Sequence, residues 1–266
     1  MTGSIRVGIG GWTYEPWRGT FYPAKLPQAR ELEHAASRVT AIEINGTYYR
    51  LQSPKSFEGW AKAVPDGFQF GVKASRYCTN RKDLREAAES IAKFVDQGLV
   101  ELGDRLGPIL WQFATTKRYD ADEFKAFLAL LPTAHRGVPL RHAVEPRHES
   151  FRDPGFVAML REAGVALVFA DAQDHPCFAD QTADFVYARL QDAEEDQPAG
   201  YAPAALDRWT AIARGWAAGN APDGLPYVDT AEASAGGERD VFVFMINGAK
   251  VRAPAAAEAM LERLKG

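Results

Sequence analysis

Nine charged or amide side chains fall at or just past the ends of short apolar stretches: Glu43, Asn45, Lys73, Gln112, Glu145, Arg147, Asp171, Arg189 and Asn247. Paired carboxylates can divide proton transfer between an acid and a base, while lysine and arginine hold an anion or meet developing negative charge. Within AIEINGTYYR (residues 41–50), a two-residue period sets Ala41, Glu43 and Asn45 on one face and Ile42 and Ile44 on the other. A carboxylate on an otherwise apolar strand is costly to bury without a partner or a use. Glu43 and Glu145 are therefore read as acid and base, with Lys73, Arg147 and Arg189 as anion holders. Trp12, Tyr14, Trp17, Tyr48 and Tyr49, on the first two loops, supply flat faces that suit a sugar, a nucleotide or an oligonucleotide. His148, beside the Glu145 stretch, adds an acid–base or ligating group.

Each assignment has a plainer counterpart. The same carboxylates and cations can neutralise one another in a network that fixes geometry and catalyses nothing. Trp12, Trp17 and Trp60, taken singly, read as packing. A metal site built from Glu43, Glu145, Asp171 and a histidine has suitable ligand types, but three cations compete for the same carboxylates. No metal or other cofactor is assigned. Gly10-Gly11 lacks the spacing of a dinucleotide fingerprint, and neither a P-loop nor a GxSxG turn is present.

The elements that must bring these residues together follow from the alternation of the chain. Apolar strands are expected at 5–9, 41–45, 68–74, 108–113, 142–147, 165–171, 185–190 and 241–246. Helical patterns lie between them at 29–37, from Ser53-Pro54, at 81–102 as one long amphipathic helix, and at 121–131, 154–163 and 204–217. A last one spans 254–264. Only the connection 172–184 is too short and broken for a crossover helix. Eight strands alternating with helices predict a parallel α/β sheet with right-handed crossovers, closed as a TIM-type (β/α)8 barrel. The strand-end residues then converge on one mouth. The whole chain, 1–266, reads as one domain, with 219–240 as a flexible surface insertion or, alternatively, a lid.

Composition excludes some classes. The chain is 46% hydrophobic and 25% charged with a formal charge of −4, so no global electrostatic attraction to nucleic acid is expected. Cys78 and Cys177 are far apart and outside any metal-ligand spacing, which reads as free thiols in a reducing compartment. With no apolar run of membrane-spanning length and no signal segment, a soluble, cytoplasmic protein is expected.

Five stretches, GGWTYEPWRGTFYP, VTAIEINGTYYR, PDGFQFGVKAS, LGPILWQF and AVEPRHESF, together resemble the YecE-like proteins, the domain-of-unknown-function family 72. The resemblance runs in order from Ile5 to the last helix and implies a single TIM-type barrel without a settled activity. It carries Trp12, Tyr14, Trp17, Glu43, Asn45, Tyr49, Lys73, Gln112, Glu145, Arg147, His148 and Arg189 as mouth positions. Two departures stand out. After Arg189-Leu190 the family's histidine-glycine is replaced by Gln191-Asp192 and an acidic run at 194–196, and its later asparagine pair is reduced to Asn247-Gly248. Both bear on substrate rather than fold. The reading is an enzyme, hydrolytic or lyase-like, acting on a polar substrate with sugar or phosphate character. The alternatives are a protein that binds nucleic acid or an anionic metabolite, and a metal-dependent hydrolase.

Overall fold

Short runs rich in Val, Ile and Phe pair in parallel as β1 (Ile5–Gly10), β2 (Ala41–Ile44), β3 (Gln69–Lys73), β4 (Leu106–Gln112) and β5 (His142–Glu145). They continue through β6, in two segments (Ala166–Leu167 and Phe169–Asp171), to β7 (Phe185–Leu190) and β8 (Asp240–Met245). The computed structural model describes residues 3–230 and 237–266. β8 pairs with β1, with Val7 opposite Val243. The two segments of β6 occupy the two ends of the sheet order, the first against β5 and the second against β7. The chain steps from one neighbour to the other at Val168, whose N–H donates to the Val144 carbonyl at 2.9 Å. This divided strand closes the barrel, where the sequence predicts one continuous run.

The alternation seen in β2 holds around the barrel. Ile42, Ile44, Phe70 and Val72 face outward into the layer beneath the helices. Ala41, Leu110, Ala143, Val168, Tyr187 and Phe244 fill the interior. Gly71 is required there. A Cβ at this position would lie 2.6 Å from the Tyr187 hydroxyl and 3.2 Å from the Phe244 ring, so only glycine leaves room for both.

The outer helices are α1 (Glu31–Ala36), α2 (Gly46–Tyr49), α3 (Pro54–Lys62), α4 (Arg76–Thr79), α5 (Ala88–Asp96), α6 (Ala121–Ala129), α7 (Pro154–Ala163), α8 (Pro203–Ala217) and α9 (Ala253–Lys265). Ser53 caps α3 by accepting the Ser56 N–H, and Asp153 caps α7 by accepting the Phe156 N–H. Such caps contribute about 1 kcal/mol each. The helix expected over 81–102 is instead broken into a 3-10 turn (Leu84–Ala87), α5 and a second 3-10 stretch (Leu99–Arg105). The break is at Gly98, whose φ of 115° is left-handed and whose Cβ position would be 2.6 Å from the Pro54 Cα. Close approach of the α3 start thus overrides a pattern that remains amphipathic across the glycine. Three small elements, α2, α4 and a hairpin (Ala134–His135 with Val138–Pro139), add to the predicted set. The hairpin turns through Arg136 and Gly137, both with positive φ.

No helix joins Asp171 to Phe185. Part of the 219–240 stretch packs against this connection. The Asp180 carboxylate accepts the N–H groups of Val228 and Asp229, Ala179 N–H donates to Pro226 O, and Arg161 pairs with Asp229 at 2.6 Å. The centre of the predicted insertion, 231–236, lies outside the described residues. Among the described residues, no helix is long and apolar enough to cross a membrane.

Candidate active site

At the C-terminal mouth the inward positions of β2, β5 and β7 deliver Glu43, Glu145 and Arg189, all fully buried. The Arg189 guanidinium donates from Nε and Nη2 to the two Glu43 oxygens at 3.0 and 3.1 Å. Its Nη1 donates to Glu145 Oε2 at 2.6 Å. Arg189 therefore joins the two carboxylates expected to share acid–base work, and their charges raise its already high pKa despite the opposing effect of burial. The Tyr187 hydroxyl, one turn of the pleat below Arg189, donates to Glu43 Oε2 at 2.8 Å.

Glu145 is equally occupied. Its Oε1 accepts from Arg147 Nε at 2.6 Å and from Gln112 Nε2 at 3.0 Å. Burial alone would raise its pKa, but Arg189, Arg147 and Lys73 outweigh that effect and hold it at about 2. A carboxylic acid held there is ionised at neutral pH and cannot donate a proton. Arg147 follows the strand rather than ending it, because β5 stops at Glu145.

Lys73, at the end of β3, has a different environment. Its Nζ lies 4.2 Å from the centre of the Tyr48 ring, and among the described residues it has no carboxylate at ion-pair distance. Burial, reinforced by Arg189, brings its pKa down to about 8. Two carboxylates (Glu43, Glu145) face three cations (Arg189, Arg147, Lys73), so the cluster carries one positive charge in excess when Lys73 is protonated.

Asp171 ends β6 on another sector of the mouth. Its carboxylate accepts the Gln191 N–H, and Gln191 Oε1 accepts from Asn247 Nδ2 at 2.9 Å. Burial and the Asp192 charge raise the Asp171 pKa to about 7. Gln191, the residue that departs from the family pattern, thus links Asp171 to Asn247.

The aromatic positions divide. Trp17 has no exposed surface, and its indole N–H donates to Lys250 O at 3.0 Å. It is a core residue, so the stacking role expected for it is corrected. Tyr14 packs edge-on against Trp17 under Lys250, whose Nζ is 4.7 Å from the Tyr14 ring. Trp12 and Asn45 line a cavity of about 440 Å³ beside the ends of β1 and β2, together with Gly10, Gly11, Arg50 and Lys250. Tyr49 projects into solvent with 65% of its surface exposed, and Tyr48 accepts from Asn80 Nδ2 at 3.2 Å. His142, adjacent to the site in sequence, is buried. It accepts from the Trp111 indole and bonds Pro132 O, a structural role.

Sequence reasoning missed Tyr187, Arg50 and Lys250. Tyr187 had a signal, since FVYARL places it two residues before Arg189 on the same strand face. Arg50 and Lys250 reach the cavity from loops, where no periodicity exists to read. Cys78 and Cys177 are free, and burial raises both thiols to about 12. Among the described residues, no group of three or more His, Cys, Asp or Glu side chains is arranged to hold a metal ion.

A closed parallel barrel with a buried carboxylate–guanidinium network across its C-terminal mouth defines a TIM-type α/β protein. The chain belongs to the family described as protein of unknown function DUF72, which matches residues 6–266. It is similar to UPF0759 protein YunF of Bacillus subtilis (strain 168), 27% identical over 114 residues. That match covers 41% of this chain and only 39% of the relative's length. The solved DUF72 family protein of Thermotoga maritima MSB8 is 21% identical with a TM-score of 0.75, covering 99% of this chain and 100% of the other. The corresponding protein of Enterococcus faecalis V583 is 17% identical with a TM-score of 0.71, covering 98% and 96%. A xylose isomerase-like TIM barrel/4-hydroxyphenylpyruvate dioxygenase fusion protein is 14% identical with a TM-score of 0.51, covering 98% of this chain and 43% of that one. At these identities the likenesses establish the fold.

Proposed function

We propose that this protein is a lyase-like enzyme acting on a small anionic, polar substrate, with Lys73 as the general base. One observation carries the reading: Lys73 has a pKa of about 8 and no carboxylate partner among the described residues. A base poised near the working pH combines a useful neutral fraction with real proton affinity. Glu43 and Glu145 are occupied by guanidinium and tyrosine donors, so their role shifts from acid and base to framework. Arg147, half-buried above them, holds the anionic group of the substrate. In the reaction, Lys73 Nζ takes a proton from carbon beside that group. The C–H electron pair forms the new double bond as the leaving group departs with its bonding pair, and the positive charge that develops on Lys73 as it takes the proton, together with Arg147, stabilises the carbanionic transition state. Trp12, Asn45, Gln112, Asp171 and Asn247 shape the surrounding binding surface, and the free thiols accord with a cytoplasmic setting.

The test is proton exchange in D2O, followed by NMR across a panel of hydroxy acids, keto acids and sugar phosphates. A responsive compound loses its C–H signal at a rate that rises with pH through about 8. Lys73→Met abolishes the exchange; exchange that persists in this variant removes Lys73 from the chemistry.

A second reading, a binding surface for single-stranded nucleic acid, is favoured by the exposed rings of Tyr49 and Tyr77 and by Arg76, 5.4 Å from the Tyr77 ring centre. It requires oligonucleotide affinity that falls steeply with added salt.

A further inference from the structure

Most polar groups around the mouth have partners. Arg189, Glu43 and Glu145 satisfy one another, and His148 is bonded at both ring nitrogens, to Ser150 and to Arg118. Lys250, across the mouth beside the end of β1, is an exception. Its carbonyl accepts the indole N–H of the fully buried Trp17 at 3.0 Å, and its own N–H donates to Gly248 O at 2.9 Å, so its backbone is fixed. Its ammonium lies 4.7 Å from the Tyr14 ring centre and 5.9 Å from that of Trp17, with no hydrogen-bond or ion-pair partner among the described residues. The ring faces attract it but leave all three ammonium hydrogens without an acceptor. Burial lowers its pKa, and no carboxylate offsets the effect.

Lys250 lines the cavity of about 440 Å³ at the ends of β1 and β2. No carboxylate lines this cavity, so Lys250 and Arg50 make it locally positive in a chain of formal charge −4. The inward position at the top of β1 is Gly10, which brings no side chain into the space. A Cβ there would already press on Ile246 Cδ1 and Asn45 Nδ2, at 3.1 and 3.2 Å. Asn45 Nδ2 donates to Glu43 O at 3.3 Å, which turns the amide so that Oδ1 is left without a donor. Gln28 and Gln52 add two further amides to the lining.

Trp12 and Trp60 supply the apolar part of the wall. Their rings are 5.3 Å apart and inclined at 75°. Such a pair makes a corner rather than a parallel slot, which suits the C–H face of a sugar better than a planar base. The loop carrying Trp12 is tied down, because Trp12 O accepts from the Tyr22 hydroxyl at 2.6 Å and the Gly11 N–H donates to Glu43 O at 2.8 Å. The cavity is therefore formed before a ligand arrives, which lowers the cost of binding.

We infer that this cavity binds an anionic sugar, a monosaccharide carrying a phosphate or a carboxylate, with the anion on Lys250, hydroxyls on Asn45, Gln28 and Gln52, and the apolar face against Trp12 and Trp60. That this sugar is the substrate of the Lys73 chemistry rests on the proposed function; its binding does not.

The experiment is titration calorimetry on the full chain with glucose 6-phosphate, ribose 5-phosphate, glucuronate and gluconate, against glucose, ribose, inorganic phosphate and AMP. At least one charged sugar is expected to bind about tenfold or more tighter than its neutral parent and than inorganic phosphate. Lys250→Met removes that advantage and Lys250→Arg retains it. Arg50→Met, at an exposed position, costs at most about fivefold, and Lys73→Met leaves the affinity unchanged. The inference is overturned if no charged sugar binds, if charged and neutral sugars bind alike, or if Lys250→Met binds as wild type does. Tightest binding by AMP or by inorganic phosphate also overturns it, in favour of a nucleotide site or a bare anion site. Lys73-dependent proton exchange beside undiminished binding in Lys250→Met defeats this inference alone. Sugar binding that is lost in Lys250→Met, with no exchange in any compound, defeats the catalytic reading alone.

Discussion

The two ends of the barrel are built from the same pairings and behave differently. At the N-terminal end, Arg141 Nη1 lies 3.0 Å from Asp240 Oδ2 and Arg6 Nη1 lies 3.6 Å from Asp240 Oδ1. Both guanidinium groups also sit over the Phe242 ring, at 5.6 Å for Arg6 and 5.1 Å for Arg141. At the C-terminal end, Arg189 joins Glu43 and Glu145. The Asp240 side chain keeps 34% of its surface in water, whereas Glu43 and Glu145 keep 0% and 1%. Water screens the first network and allows it to rearrange cheaply, while the second is desolvated and held from every side. Arginine–carboxylate pairs therefore do not mark the site by themselves. What distinguishes the mouth is Lys73, a cation placed beside a desolvated network with no carboxylate partner of its own among the described residues.

The largest effect expected from breaking this contrast comes from Glu43→Gln. It removes the bidentate partner of a buried guanidinium and an acceptor of the Tyr187 hydroxyl. A loss of about 3–5 kcal/mol is expected by urea denaturation. A loss under ~1 kcal/mol would show that the mouth network is as loosely held as the opposite end. Gly71→Ala comes next. It adds a methyl 2.6 Å from the Tyr187 hydroxyl, so the ring must move and its bond to Glu43 lengthens. The cost is that of overpacking, ~1–3 kcal/mol, and Tyr187→Phe in the same chain should recover part of it.

How much of this was legible beforehand depends on the range of the forces involved. The period of two in AIEIN correctly separated Glu43 from Ile42 and Ile44, because strand pleating is local. The same period in FVYARL contained Tyr187, yet its bond to Glu43 joins residues 144 apart and no local pattern encodes such a partner. Trp17 was open to both packing and stacking, and burial decides for packing, because residue type states what a ring can do and not whether solvent reaches it. The helix over 81–102 failed for a related reason: Gly98 responds to Pro54, a distant segment. Convergence at the mouth was readable from topology, whereas the division of labour among the converging charges depends on burial and distance.

Charge linkage separates Glu145 from Lys73. The folded pKa of Glu145, about 2, lies below its ordinary 4.5. Its contribution to stability is therefore complete above about 4.5 and is lost as pH falls toward 2. Lys73 has the opposite signature. Its folded pKa of about 8 is below the ordinary 10.5, so between those values the unfolded chain binds more protons and stability rises with pH. Lys73→Met should flatten that rise and, by removing one of the three cations that lower the Glu145 pKa, move the acid limb to somewhat higher pH in a denaturation series across pH. An alkaline limb identical in the variant would show that Lys73 is not desolvated in the folded protein.

The smallest effect is reserved for the control end of the comparison. Asp240→Asn removes the shared partner of Arg6 and Arg141, but both cations retain the Phe242 ring, and Arg141 also keeps its bond to Gln69 at 3.1 Å. Because the group is part-exposed, water replaces most of what is lost, and about 0.2–1 kcal/mol is expected. The amide can still accept from Ser4, whose N–H lies 3.2 Å from Asp240 Oδ1. Equal losses in Asp240→Asn and Glu43→Gln would mean that burial does not separate the two ends. A small loss here beside a large one at the mouth makes desolvation the property that sets the two networks apart.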